Sequence, residues 1–201
     1  MSELNTFDDR LDEMFLSLEE GLLGKLLTIG ALVLGSAFPA SGAEQEKDIT
    51  KDIVKHEGNE DYSYTDTVGK RSVGIGFNID DNKKFAKKIL GDRFDAVYNG
   101  KEPINIVDKQ TFFDYSLRNA LAVSKKYLPD FDDQPDEVKE VVLNMAFNLG
   151  NRLHKFKKTK KYLDNKQYEN ASKEMLDSKW ARQVKNRAKE LSATIKNLAS
   201  K

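Results

Sequence analysis

The sequence predicts an α+β fold, mainly helical, on three observations. Apolar residues recur at helical spacing along most of the chain, residues 62–79 alone have strand character, and none of the 201 residues is a cysteine. A content of 39% hydrophobic and 33% charged residues suits a helix-rich globular chain, long enough to bury a core. The missing cysteines exclude a disulfide framework, thiolate metal sites and a cysteine nucleophile.

Residues 1–21 read as a polar, acidic helix with apolar positions at Leu4, Phe7, Leu11, Phe15 and Leu18. In the next segment, Leu22 to Ala43, the apolar run from Leu26 to Phe38 is short for a membrane span. It has the length of a signal-peptide core, with Pro39 as a breaker and Ser41 and Ala43 as small residues before a cut. The stretch ahead of it is long and acidic where a basic one is expected, and only Lys25 supplies charge of the right sign. Residues 1–45 are therefore expected to be a leader of one of three kinds: a signal peptide, a membrane anchor, or a helix that packs on another protein.

The formal net charge of zero hides an asymmetry. A cut after Ala43 removes seven acidic and two basic side chains and leaves a body with a net charge of about +5. A basic body suits an anionic polymer, cell wall or nucleic acid alike.

Residues 46–201 form the expected main domain. Asp48 to His56 reads as a short helix, with Ile49, Ile53 and Val54 on one face. Residues 62–79, YSYTDTVGKRSVGIGFNI, carry aromatic and β-branched residues with glycines at turn positions, the pattern of a small β-meander. Helical spacing returns over Asp81 to Leu90, and Asn99-Gly100 marks a turn. One long helix is predicted from Asp108 to about Leu128, stopped by Pro129. From Asp136 onward the pattern is helical, and the almost wholly apolar VKEVVLNMAFNLG ends at Gly150.

Glu57, Asp66 and Ser72 fall at a helix end and in the meander that follows it. A hairpin beside a helix terminus can gather three such side chains around one cleft. Cleaving a glycosidic bond requires an acid to protonate the leaving oxygen and a second carboxylate to steer water or stabilise positive charge. The acid must keep its proton near neutral pH, which calls for a partly apolar setting.

Here the sequence resembles the phage-type lysozymes related to those of T-even phages. Their pattern is a Glu, eight residues, an Asp, five residues and a Thr; Glu57, Asp66 and Ser72 fit it, with Ser in the last position. Gly58, Tyr64 and the V-G-I-G run from Val73 to Gly76 extend the match. So do NMAFNLG, from Asn144 to Gly150, and SKWARQVKNRAK, from Ser178 to Lys189, within a resemblance covering residues 48–192.

The resemblance implies a two-lobed fold: an N-terminal lobe with a small sheet, a long connecting helix, and a helical C-terminal lobe. It implies cleavage of peptidoglycan between N-acetylmuramic acid and N-acetylglucosamine with inversion, and no metal or cofactor. Carried over, Glu57 is the general acid, Asp66 orients the attacking water and Ser72 is its hydroxyl partner. Arg187 falls on the arginine that pairs with the catalytic Glu across the cleft, and Asn148 on a cleft-lining, substrate-binding position. Two departures stand out. Ser72 loses the methyl that stiffens a threonine rotamer, and Phe77 replaces a histidine that commonly pairs with an aspartate.

Other readings of these residues are weaker. His56-Glu57 opens an HExxH pattern, but its last position is Glu60. Gly69, Gly74 and Gly76 lack the spacing of a phosphate-binding loop. The run from Lys155 to Lys161 reads as a solvated helix end, and Trp180 as core rather than sugar platform. A lytic transglycosylase would need the acid but neither Asp66 nor Ser72. A virion or membrane-associated component that keeps the fold for wall binding is the alternative favoured by the acidic leader. The expected location is accordingly the host periplasm and wall after export, or the virion.

Overall fold

The computed structural model describes residue 53, residues 59–66 and residues 69–200. The leader, Glu57 and all but Ile53 of the helix read at Asp48–His56 lie outside the described residues; Ile53 is helical and fully buried.

The meander is present as three antiparallel strands in the order β1-β2-β3: β1 (Glu60–Thr65), β2 (Arg71–Gly74) and β3 (Phe77–Asn78). Val73 pairs with Phe77, so the β2–β3 turn is tight. Gly74 turns it at φ +64°, and a Cβ there would stand 3.2 Å from Ile104 Cδ1. Both facts require glycine at this position.

Eight α-helices follow: α1 (Lys83–Leu90), α2 (Phe94–Tyr98), α3 (Ile106–Tyr127), α4 (Asp136–Leu149), α5 (Lys157–Asp164), α6 (Tyr168–Leu176), α7 (Lys179–Val184) and α8 (Asn186–Asn197). The long helix α3 starts two residues before the expected Asp108, because Asp108 belongs to a capping box. The Asn105 side chain accepts from Asp108 N at 2.8 Å, and Asp108 Oδ2 accepts from Asn105 N at 3.1 Å. At the other end Leu128 is extended, as the residue before Pro129 must be. The apolar helix α4 ends at Gly150, whose N–H donates to Ala146 O at φ +53°.

Two cores lie on either side of α3. Val73, Phe77 and Ile79 of the sheet region pack with Ala86, Leu90, Phe94, Val97 and Phe112. Phe113, next in the chain, is buried with Ile53, Ile75, Leu117, most of α4 and the inner faces of α5–α8. The small sheet, long helix and helical lobe are thus the α+β, mainly α arrangement that the resemblance implied.

The run from Lys155 to Lys161 lies at a solvated helix end, as expected: it spans the last residue of a 3₁₀ turn and the start of α5. Four lysines at a helix N-terminus oppose the macrodipole; Lys160 is offset by Asp164 at 2.7 Å. Among the described residues, no helix is long and apolar enough to cross a membrane.

Phe77 is fully buried. It stacks on Phe112 with centroids 4.2 Å apart and planes at 8°, beside a second stacked pair, Phe85 and Tyr115, at 3.9 Å. Aromatic packing therefore occupies the position where an ion pair was expected to be lost. Phe77→Ala should lower the unfolding free energy by about 3–5 kcal/mol. Urea denaturation at unchanged m-value checks this, and a loss under about 1 kcal/mol would show that the cluster collapses around the gap.

Candidate functional site: the β1–β2 hairpin and the asparagine face of α4

The hairpin that carries Asp66 and Ser72 is held by its own turn. Asp66 N donates to Lys70 O at 2.8 Å, and Gly69 N donates to Asp66 O at 3.0 Å. Lys70 N donates to the carboxylate oxygen Oδ1 of Asp66, also at 2.8 Å. Asp66 therefore caps the turn with one oxygen, the role that turn aspartates take.

Tyr64 pairs with Ser72, and Thr65 with Arg71. Alternation along the strands puts Tyr64, Asp66 and Ser72 on one face. Asp66 and Ser72 are then diagonal cross-strand neighbours, roughly 7–8 Å apart at their backbones. Asp66 is half-buried, and Ser72 is buried at 3% exposure.

The opposite face is anchored. Arg71 Nε donates to Tyr98 O at 3.0 Å and Nη2 to Ser63 O at 3.1 Å, while Ser63 Oγ donates to Val97 O at 2.7 Å. Arg71 N and the Tyr98 hydroxyl both donate to Asp80, at 2.8 Å each, and hold its carboxyl below the usual carboxylate range. Asp80 in turn pushes the Tyr98 phenol up. One face of the hairpin is thus bonded to α2, and the face with Asp66 and Ser72 is left to other partners.

The second group of expected residues meets on α4. Asn144 and Asn148, four residues apart in the apolar C-terminal half of α4, share one face. Asn148 is half-buried, and its Oδ1 accepts from Trp180 Nε1 at 2.9 Å. Asn144 is fully buried; its Oδ1 accepts from Arg187 Nε at 2.8 Å and its carbonyl from Arg187 Nη2 at 3.2 Å. Trp180 is 4% exposed and edge-on to Phe156, so it is core, as expected. Arg187, 5% exposed, is a buried cation rather than a surface charge on α8.

Local geometry delivers both donors. Ser178 caps α7 by accepting from Ala181 N at 2.9 Å, which starts the helix that carries Trp180. Lys185 then breaks the chain at φ +46°, a strained value for a residue with a side chain, and α8 starts afresh with Arg187 in its first turn.

The structure thus sets Asp66 and Ser72 on one hairpin, and α4 carries Asn148 and, one turn earlier, the Asn144 that holds Arg187 of α8. Ile75, three residues beyond Ser72, and Met145, next to Asn144, are buried in the same core, so both groups border it. Glu57 lies outside the described residues.

Two residues escaped the sequence reading. Asn144 is the partner that fixes Arg187, and an amide inside a nearly wholly apolar helix was the signal for it. Asp114 on α3 is the other: burial pushes its carboxyl up, against the amide of Gln110 that donates to it at 2.7 Å.

Comparison with known proteins finds two relatives. A protein described as "Probable T4-type lysozyme 1" of Dictyostelium discoideum is 28% identical over 156 residues, 72% of this chain and 92% of the relative. "Probable T4-type lysozyme 2" of the same organism is 30% identical over 149 residues, 69% of this chain and 88% of the relative. The chain belongs to the T4-type lysozyme family. No family model matches it. Membership at this identity fixes the architecture.

Two stability measurements follow from this lysozyme-family site. Asp66→Asn keeps an oxygen that can accept from Lys70 N, so thermal unfolding should shift by less than about 1 kcal/mol, while Asp66→Ala should cost about that much. Arg187→Ala strands a buried acceptor and removes the packed stem of the side chain. It should cost about 3 kcal/mol by urea denaturation, and a cost near zero would show that α8 holds its place without this bond.

Proposed function

We propose that the chain is a peptidoglycan hydrolase, a muramidase cleaving the β-1,4 bond between N-acetylmuramic acid and N-acetylglucosamine. The observation that carries this reading is the hairpin. Asp66 and Ser72 share one face, in the spacing from Glu57 that marks the family, inside a chain that belongs to the T4-type lysozymes.

In this reading Glu57 donates its proton to the glycosidic oxygen as the bond to the anomeric carbon breaks. A water on the opposite face of the sugar attacks, steered by the Asp66 carboxylate and the Ser72 hydroxyl, and Asp66 takes up its proton. Inversion requires the two carboxylates roughly 6.5–9.5 Å apart, with room for the water. The Asp66 turn bond supports this role: a carboxylate pinned through one oxygen is held in one orientation. Arg187, fixed by Asn144, supplies positive charge toward an acidic partner, and Asn148 lies on the same face of α4. The segment of residues 1–45 would deliver the activity to the wall, by export or by carriage on a particle.

The test is digestion of purified peptidoglycan by the full chain and its variants, with products identified by mass spectrometry. The parent should release muropeptides with reducing ends. Glu57→Gln should lower the rate by about 10²–10⁴-fold, the usual contribution of a general acid. Asp66→Asn should also lower it while remaining folded. Anhydro-muropeptides would move the assignment to a lytic transglycosylase. Unchanged release from Glu57→Gln would remove Glu57 from the mechanism.

A further inference from the structure

The two asparagines of α4 are used in the same sense. The side-chain oxygen of Asn148 accepts from Trp180 Nε1 at 2.9 Å, and that of Asn144 accepts from Arg187 Nε at 2.8 Å. An indole and a guanidinium are donors only, so neither amide can be turned round: its oxygen must face its partner. Both amide nitrogens are then left over. Asn144 Nδ2 is buried with no partner among the described residues. Asn148 Nδ2 makes no hydrogen bond with a described residue either, but this atom keeps contact with solvent, on a half-buried residue. The face of α4 thus has a surplus of donors, and its open position is Asn148. A donor in such a place calls for an acceptor.

We infer that Asn148 is a specificity-determining residue that takes an acceptor group of the substrate, a carbonyl or carboxylate oxygen, and that Trp180 is its positioning residue, holding the amide with its nitrogen outward. The inference rests on the muramidase reading, in which Asn148 lines the substrate cleft, and adds the polarity of that position. A free asparagine recognises donors and acceptors alike, because its amide turns at little cost. One held by an indole does not. Turning it would leave the Trp180 N–H facing another donor inside the core, the cost of a stranded buried group.

Trp180 can serve as the fixed point because it is itself held. It is 4% exposed and edge-on to Phe156, on a helix capped by Ser178. Peptidoglycan offers acceptors of this kind in two places, the acetamido carbonyls of its sugars and the carbonyls and carboxylates of its stem peptides. The ammonium of a de-N-acetylated sugar is a donor only, and finds no partner at this position.

The chain has a single tryptophan, so its indole N–H gives one resonance in a proton–nitrogen correlation spectrum of the full chain. The side-chain amide pair of Asn148 is identified by its loss in Asn148→Asp. That variant has the same size and still accepts from Trp180 Nε1, but has no donor; a dispersed spectrum shows that it is folded. Two acceptor probes are titrated: triacetylchitotriose, which carries no peptide, and the acidic dipeptide L-Ala-γ-D-Glu, which carries no sugar. At least one should move the Asn148 pair, and which one does so names the source of the acceptor. The de-N-acetylated trisaccharide should bind about tenfold more weakly than the responding probe, and Asn148→Asp, read on the indole resonance, should weaken that probe by a similar factor. Trp180→Phe frees the amide to turn, so the preference for the responding probe should shrink several-fold. A merely structural tryptophan would weaken both ligands alike. No response of the Asn148 pair to either acceptor probe, equal affinity for the de-N-acetylated trisaccharide, or undiminished affinity in Asn148→Asp would each overturn the inference. A preference intact in Trp180→Phe would overturn the positioning role. No bond is cleaved in this measurement: wall digestion with a silent amide removes this inference alone, and a responding amide without digestion removes the muramidase reading alone.

Discussion

The structure depends on one helix serving two cores. Phe112 and Phe113 are adjacent in α3, yet Phe112 is buried under Phe77 and Phe113 against Leu117 and the helical lobe. Adjacent residues on a helix project about 100° apart, so burying both requires protein on two sides. The capping box at Asn105 and Asp108 fixes where α3 begins and therefore its rotation. A shift of one residue would rotate Phe112 out of the sheet-side core and carry the sheet with it.

The hairpin inherits its position from that arrangement. Val73 and Phe77 bury one face of the sheet against α1–α3, and Arg71 ties the same face to the backbone of α2. The opposite face carries Tyr64, Asp66 and Ser72. Alternation separates two sets of side chains: odd-numbered residues hold the first face against the helices, and even-numbered ones lie on the other. Ile75 at the end of β2 reaches the other core and links the hairpin to the helical lobe.

How much of this was legible in the sequence varied with the range of the interaction. The meander, α3 and α4 could be read because strand alternation, helical spacing, Pro129 and Gly150 are local signals. That Asp66 and Ser72 lie on one hairpin was legible for the same reason, since a hairpin brings near neighbours together. Arg187 could be placed only by resemblance, because its partner Asn144 is 43 residues away. Nothing local distinguishes a buried arginine from an exposed one on α8, where lysines flank it on both sides. The lysine run was legible as a solvated helix end, but charge alone does not tell a helix start from its C-terminus. Phe77 was read as a lost ion pair because its aromatic partners lie on α1 and α3.

The choice of an amide to hold Arg187 has an electrostatic consequence. A carboxylate at position 144 would orient the guanidinium equally well, but would also cancel its charge in a setting of low dielectric. Asn144 orients without neutralising, through a side-chain oxygen and a backbone carbonyl that together fix the plane of the fork. A buried positive charge is costly unless compensated, so an arginine kept in this way favours a negative charge beside it. A carboxylate opposite it has its ionised form stabilised, and a carboxylic acid meant to donate a proton must find compensating burial elsewhere. The pull of Arg187 and the apolar surroundings of the second core thus act on a nearby acid in opposite directions. In the proposed reading, in which Glu57 is the general acid, its poise is set by that balance, with Asn144 fixing one side of it.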